Sequence, residues 1–435
     1  MDILIAEVIG DVALVLLVAS VLGAIARRCG QPAVIGQILA GILLGPSALG
    51  RLPGHLTARL FPHSALPALT VLSQVAVVIF MFAVGYELDR RALHRRHRAV
   101  WLVAVCALIV PMSLGAGSAL VFRSQFAALG EPHLSRSMVL FMAVALAITA
   151  LPVLAAIARE RGIAGTVPGV VAASSAGIMD VAAWVALAAA LVGTSGRTGR
   201  PWPETLGLVV GFAAVMLLGV RPALRFWLSR RRSMLSNQLP VALVLALGSA
   251  WVTASLGLHP VFGGFLAGLT MPGPDGTPDA EVLRPMEQIG GILLPLFFVV
   301  TGLSVNVGAL DGDALLLLVI LCALASAGKL GPGYLGAKLG GLGRRDAATV
   351  AALVNSRGLT ELIALNVGLS AGLIDERLFS ILVLMAVLTT VATAPLLSLI
   401  RAPAAASQGS IAPEAHAGVG YAGVADAGAP HTEES

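Results

Sequence analysis

At 435 residues the chain is long enough for about three soluble domains, but it is 57% hydrophobic and only 12% charged, with a mean hydropathy of +0.91. A soluble domain carries about 25% charged residues, so this composition excludes a water-soluble globule, a coiled coil, collagen and wholesale disorder, and points to an integral membrane protein. The net charge of +5 does not argue for nucleic acid, because the basic residues fall in Arg clusters between apolar runs.

Apolar runs of about 18 residues or more read as spanning helices. Thirteen are expected in chain order, over residues 3–26, 31–50, 66–87, 99–122, 137–158, 166–193, 204–224, 238–257, 260–271, 289–307, 313–338, 347–370 and 379–400. The run at 260–271 is short, and twelve spans remain if it is re-entrant. A β-barrel would instead show short alternating segments. The first run is too long for the core of a cleavable signal peptide. Residues 402–435 are rich in Ala, Gly, Pro and Ser and have no period, so a disordered cytoplasmic tail is expected after a transmembrane domain over 1–401, with no nucleotide-binding or regulatory domain following it.

Loop charges orient the map. With the N-terminus outside, seventeen of the 28 Lys and Arg residues fall in inner loops and seven in outer ones. That bias fits the positive-inside rule and places the C-terminus in the cytoplasm. Compact loops and the absence of a targeting peptide point to a bacterial inner membrane. The cysteines, Cys29, Cys106 and Cys322, are isolated and carry neither a zinc spacing nor a disulfide framework.

Ionisable groups deep in a bilayer are costly and mark candidate sites. Asp180 lies about 14 residues into its expected helix, roughly 21 Å deep at 1.5 Å per residue. Lys329 is the one lysine in the central part of a span, at similar depth. A carboxylate and an ammonium so placed are expected to pair or titrate. Two spans look broken. Pro152 in Ile148-Thr149-Ala150-Leu151-Pro152 removes an amide donor in mid-span, and Asn355-Ser356-Arg357-Gly358 gathers polar residues and glycine at mid-depth. Interrupted helices in corresponding positions of two halves point to a transporter's substrate site, and such backbone is tolerated only where it is buried or lines a cavity. In sequence order a broken span precedes the Asp180 span, whereas the Lys329 span precedes a broken one. Inverting one pair gives the other, as inverted-topology repeats would. Arg357 and Glu361 are four residues apart on one helix face and are expected to compensate the exposed ends of their own broken helix. Direct cation ligation by Glu361 is the lesser alternative. Gly41 and Gly45 form a GxxxG that lets helices approach closely.

These motifs together resemble a known family. Gly36-Gln37-Ile38-Leu39-Ala40-Gly41-Ile42-Leu43-Leu44-Gly45-Pro46 resembles the second-helix signature of the monovalent cation/proton antiporter-2 family, the Kef-type sodium/hydrogen exchanger domain. Ile148 to Leu154 is similar to its first broken helix, Asp180-Val181-Ala182-Ala183-Trp184 to its acidic helix, and Asn355 to Ile363 to its second broken helix, most like the plant-type cation/H+ exchangers. The resemblance spans about residues 5–400. It implies an all-α polytopic membrane fold with inverted repeats and two broken, crossing helices, as in sodium/proton antiporters. It further implies a mobile core domain, a dimer domain built partly from the first helices, and a homodimer. It assigns the exchangeable carboxylate to Asp180, a polar ligand to Thr149 and the embedded charge partner to Lys329. Members usually carry Asp, Asn or Gln before that carboxylate, where this chain has Met179. A thioether is a poor ligand for a hard alkali ion. Ser174 and Ser175 are candidates to supply the missing oxygen.

The expected function is exchange of Na+ or K+ for H+ by alternating access, with the transported alkali cation as the metal at Asp180, no resident cofactor and the lipid bilayer as environment. No nucleophile elbow, P-loop, HExxH or nucleotide fingerprint argues for an enzyme. Proton-coupled export of a small organic solute on the same fold, and a membrane protein that binds ions without moving them, are the alternatives.

Overall fold

The computed structural model describes residues 2–51, 53, 57, 60–62, 64–87, 97–128, 135–192, 202–231, 238–273 and 277–401. The expected tail at 402–435 lies outside these described residues, as do several loop arginines used in the charge count. The described residues are helical with short connections, because a chain in lipid must satisfy its backbone polar groups internally.

The helices longer than six residues are α1 (Asp2–Arg28), α2 (Ala33–Leu44), α3 (Leu66–Glu87), α4 (His97–Val121), α5 (Arg136–Ala147), α6 (Leu151–Glu160), α7 (Val167–Val192), α8 (Trp202–Ala214) and α9 (Arg221–Arg231). A π-helical stretch, Val215–Val220, joins α8 to α9. There follow α10 (Leu239–Ser255), α11 (Pro260–Thr270), α12 (Ala280–Leu303), α13 (Gly312–Leu339), α14 (Arg344–Val354), α15 (Leu359–Ser370) and α16 (Glu376–Arg401). Every expected span contains helix. Among the described residues ten helical segments, however, are long and apolar enough to cross a membrane, counting α5–α6 as one and α8–α9 as one. The count of thirteen is therefore not met by length and composition. The other three are α10 with 17 residues, α11 with 11, and the α14–α15 pair with 11 and 12. A full crossing takes about 20 residues. α12 also begins nine residues before the expected 289, because Glu281, Arg284 and Glu287 hid its first turns from a hydropathy reading. Asp279 caps that start, accepting a hydrogen bond from the Glu281 amide at 3.0 Å.

The helices sort into two bundles. In one, α1 packs on α2, α2 on α12, α12 on α3, α3 on α11 and α11 on α10. In the other, α4 packs on α13, α5 on α4, α14 on α13, and α7 on α4, α5 and α14. The pairings mirror each other. α1–α2 matches α10–α11, α2–α12 matches α11–α3, and α4–α5 matches α13–α14. The repeats thus run in the same order along the chain. Under this correspondence the two broken spans match each other, the Asp180 helix α7 matches α16, and the Lys329 helix α13 matches α4. The symmetry expected from the order of charges is corrected accordingly.

Glycines set the close approaches in both halves. A Cβ on Gly41 of α2 would lie 2.4 Å from the Val299 carbonyl of α12, and one on Gly268 of α11 would lie 2.1 Å from the Phe82 carbonyl of α3. Backbones that near admit no side chain. Ile38, Val77, Phe265 and Phe297 of the first bundle join Phe141, Trp184 and Leu321 of the second in one apolar cluster, which forms the seam between them.

Candidate functional site

The site grows from the two breaks. α5 stops at Ala147 and α6 starts at Leu151 with Pro152 in its first turn, where a missing amide hydrogen does no harm. α14 stops at Val354 and α15 starts at Leu359. Gly358 between them holds φ +145°, a conformation that L side chains rarely adopt. The two unwound segments cross and bond to each other. Thr149 donates its hydroxyl to the Val354 carbonyl at 3.2 Å, the Ala150 amide donates to the Ser356 carbonyl at 3.2 Å, and Thr360 donates to the Thr149 carbonyl at 3.3 Å.

A helix C-terminus leaves carbonyls without partners and carries partial negative charge. At the end of α5 three of them receive cations. Arg357 donates to the carbonyls of Ala145 at 2.9 Å and Leu146 at 2.6 Å, and the Lys329 ammonium donates to that of Ala147. Lys329 also donates to the Thr149 hydroxyl oxygen at 2.6 Å. Arg357 pairs with Glu361 at 2.9 Å, both fully buried. Glu361 sits in the first turn of α15, at a positive dipole end of its own broken helix, whereas Arg357 serves the other broken helix.

Asp180, on α7, is 1% exposed, and neither carboxylate oxygen has a hydrogen-bond partner. Asp180 and Lys329 make no direct ion pair, because the α5 carbonyl and Thr149 hold the ammonium. Met179 is fully buried, with its sulfur 3.9 Å from the Lys329 ammonium, so the residue that departs from the usual pattern faces the charge partner. Ser175 is not brought to this cluster. It lies about 140° around the helix from Asp180 and donates to the Val100 carbonyl on α4 at 3.0 Å.

A cavity of about 600 Å³ separates the bundles on one side of the seam. Glu87, Arg159 and Glu287 stand where helix ends meet the surface, and the walls reach inward to Leu151, Ser174 and Ile178. The sequence reading missed this cavity, and it missed Thr390 of α16, whose hydroxyl oxygen accepts the Arg357 amide at 3.0 Å. The threonines of the last span were the available signal.

Residues 14–399 match the family model described as the transmembrane sodium/hydrogen exchanger. Cation/H(+) antiporter 20 of Arabidopsis thaliana is 36% identical over 408 residues, covering 90% of this chain and 48% of that protein. Na(+)/H(+) antiporter NhaS4 of Synechocystis is 32% identical, covering 89% of this chain and 96% of that protein. The K(+)/H(+) antiporter 1 of Saccharomyces cerevisiae is 31% identical, covering 89% of this chain and 45% of that protein. The chain thus spans about half the length of its plant and yeast relatives. The sodium proton antiporter MjNhaP1 of Methanocaldococcus jannaschii, at 14% identity, shares the fold with a TM-score of 0.63 over 91% of this chain and 98% of its own. A polytopic helical membrane protein with two broken, crossing helices and a match along nearly its whole length, this chain belongs to the sodium/hydrogen exchanger family.

Proposed function

We propose that the chain exchanges a monovalent cation, Na+ or K+, for H+ by alternating access, with Asp180 as the group that takes either one. The observation that carries this reading is a carboxylate buried at the crossing of two broken helices with both oxygens free. Loss of water favours its neutral form, and the nearby ammonium favours its charged form. That opposition lets proton and cation compete for one site. Lys329 is held off the carboxylate by Ala147 and Thr149, which leaves Asp180 open to a cation arriving from the cavity. Thr149 adds a hydroxyl oxygen that accepts from Lys329 and whose lone pair is released to the cation when the ammonium leaves. Glu361 stays with Arg357 as a structural pair.

The bias of arginines toward one face supports an outside N-terminus and a cavity open to the cytoplasm, in a bacterial inner membrane. The exposed apolar faces of α1, among them Ile9 at 64% and Leu17 at 62% exposure, suit a homodimer built on the first bundle. The organic-solute reading draws on the cavity's size and apolar walls. Both are tested in everted vesicles with a pH-sensitive dye. Addition of Na+ or K+ should dequench it, and Asp180→Asn should abolish the signal at unchanged protein yield. A near wild-type response from Asp180→Asn overturns the site, and no response of the wild-type protein to either cation overturns the activity.

A further inference from the structure

Thr390 lies on α16, remote in sequence from both breaks, yet it is the side chain that replaces a lost backbone partner in the second one. Arg357 has left the helix, so its amide has no carbonyl four residues back to bond. The Thr390 hydroxyl oxygen accepts that amide at 3.0 Å. The hydroxyl proton lies within reach of the Arg357 carbonyl at 2.9 Å and of the Ala386 carbonyl at 2.7 Å. Asn355, two residues earlier, reaches the same helix, donating to the Thr389 carbonyl at 3.3 Å. Thr390 and Arg357 are both buried, so no water substitutes for these bonds.

The repeat gives the contact a meaning. Adding 209 to the residue numbers of α5, α6 and α7 reproduces the bounds of α14, α15 and α16 to within two residues. The same shift carries Asp180 to position 389, beside Thr390. In the first repeat this place on the helix behind the break holds an unpartnered carboxylate. In the second it holds hydroxyls engaged with backbone. One repeat keeps its break-facing helix open for a ligand, and the other uses it to fix the break.

We infer that Thr390 is a positioning residue for exchange: by anchoring the Arg357 backbone, it aims the guanidinium at the carbonyls of Ala145 and Leu146 and so sets the charge that Lys329 and Asp180 experience. The inference rests on the exchange reading given above. The path is short and each link is a bond already described. Thr390 holds the Arg357 main chain, Arg357 neutralises two of the three carbonyls that end α5, and Lys329 takes the third together with Thr149. If Arg357 shifts, the end of α5 regains negative charge, and Lys329 answers that charge instead of Asp180.

Thr390→Val keeps the shape and removes every bond of the hydroxyl. Thr390→Ser restores them. Thr393→Val is the control, since the Thr393 hydroxyl bonds only the Thr389 carbonyl of its own helix. In proteoliposomes Thr390→Val should lower maximal exchange about tenfold and displace its pH profile, whereas Thr390→Ser and Thr393→Val keep the wild-type profile. A wild-type rate and profile in Thr390→Val overturns the inference, as does a Thr390→Ser variant as impaired as Thr390→Val. Hydrogen exchange on the wild-type protein tests the anchor without transport. The Arg357 amide should exchange as slowly as amides of α14, and rapid exchange there overturns the inference even where Thr390→Val does not fold. Absence of cation exchange in the wild-type protein would instead strike the functional reading, leaving the anchor to the amide measurement.

Discussion

At the residue scale, the site depends on which groups compete for one ammonium. Asp180 and Lys329 were legible as a pair of buried charges, since nothing else of either sign occupies the middle of those spans. Their separation was not, because it depends on the carbonyls of α5, which sequence does not display. Met179 is the most informative neighbour. Its thioether contacts the Lys329 ammonium at 3.9 Å, at the position where the resemblance implies an oxygen-bearing side chain. An amide there would accept from Lys329 and loosen its hold on Thr149, whose oxygen then becomes available to a hard cation. A hydrogen bond is worth about 1 kcal/mol net, roughly a fivefold change in an equilibrium constant. Met179→Asn should therefore lower the apparent KM for Na+ or K+ about fivefold in proteoliposomes, with maximal rate preserved. Unchanged or weaker cation affinity at normal yield would place Met179 outside the ion site.

At the scale of elements, the broken helices were legible because proline in one and an Asn-Ser-Arg-Gly run in the other stand where apolar residues are required. Their crossing partners were not. Arg357 reaches carbonyls 211 and 212 residues away, and no local pattern reports such a distance. Threonines in membrane helices ordinarily bond their own helix, so Thr390 looked unexceptional. Gly358 shows how tightly the second break is specified. Its φ of +145° strains any L side chain, and an added Cβ would lie 2.9 Å from Cγ2 of Val153 on α6. Strained backbone of this kind costs about 1–3 kcal/mol. Gly358→Ala should lower the melting temperature in detergent by several degrees and depress exchange more than Gly343→Ala, which meets open space at an ordinary φ. Equal melting of the two variants would show that the break tolerates a side chain.

At the scale of the whole molecule, the two bundles are held differently on the two sides of the seam. One side has the cavity bounded by α3, α6, α7 and α12. The Gln31 side-chain amide, beyond the end of α1, donates to the Val391 carbonyl of α16 at 3.3 Å, and away from the cavity two further bonds run from bundle to bundle. Asn366 of α15 donates to the Thr301 hydroxyl of α12 at 3.0 Å, and the amide of Asn306, beyond the end of α12, donates to the Ser380 hydroxyl of α16 at 3.1 Å. Transporters with inverted repeats work largely by rocking one bundle against the other about a fixed site. Under the exchange proposed above, the cavity side and the bonded side exchange roles, and the Asn366–Thr301 contact opens once in every cycle. Its energy is small beside the apolar seam, as a single neutral hydrogen bond of about 0.5–1.5 kcal/mol should be for a contact broken in turnover. A covalent link at the same place would not open. In a background without Cys29, Cys106 and Cys322, the pair Asn366→Cys and Thr301→Cys, joined by a short bifunctional thiol reagent with a reducible linker, should arrest exchange, and a reductant should restore it. Each single variant should exchange at a rate close to the background. If the cross-linked protein still exchanges at the background rate, the bundles do not part at α12 and α15, and access to Asp180 from that side takes another route.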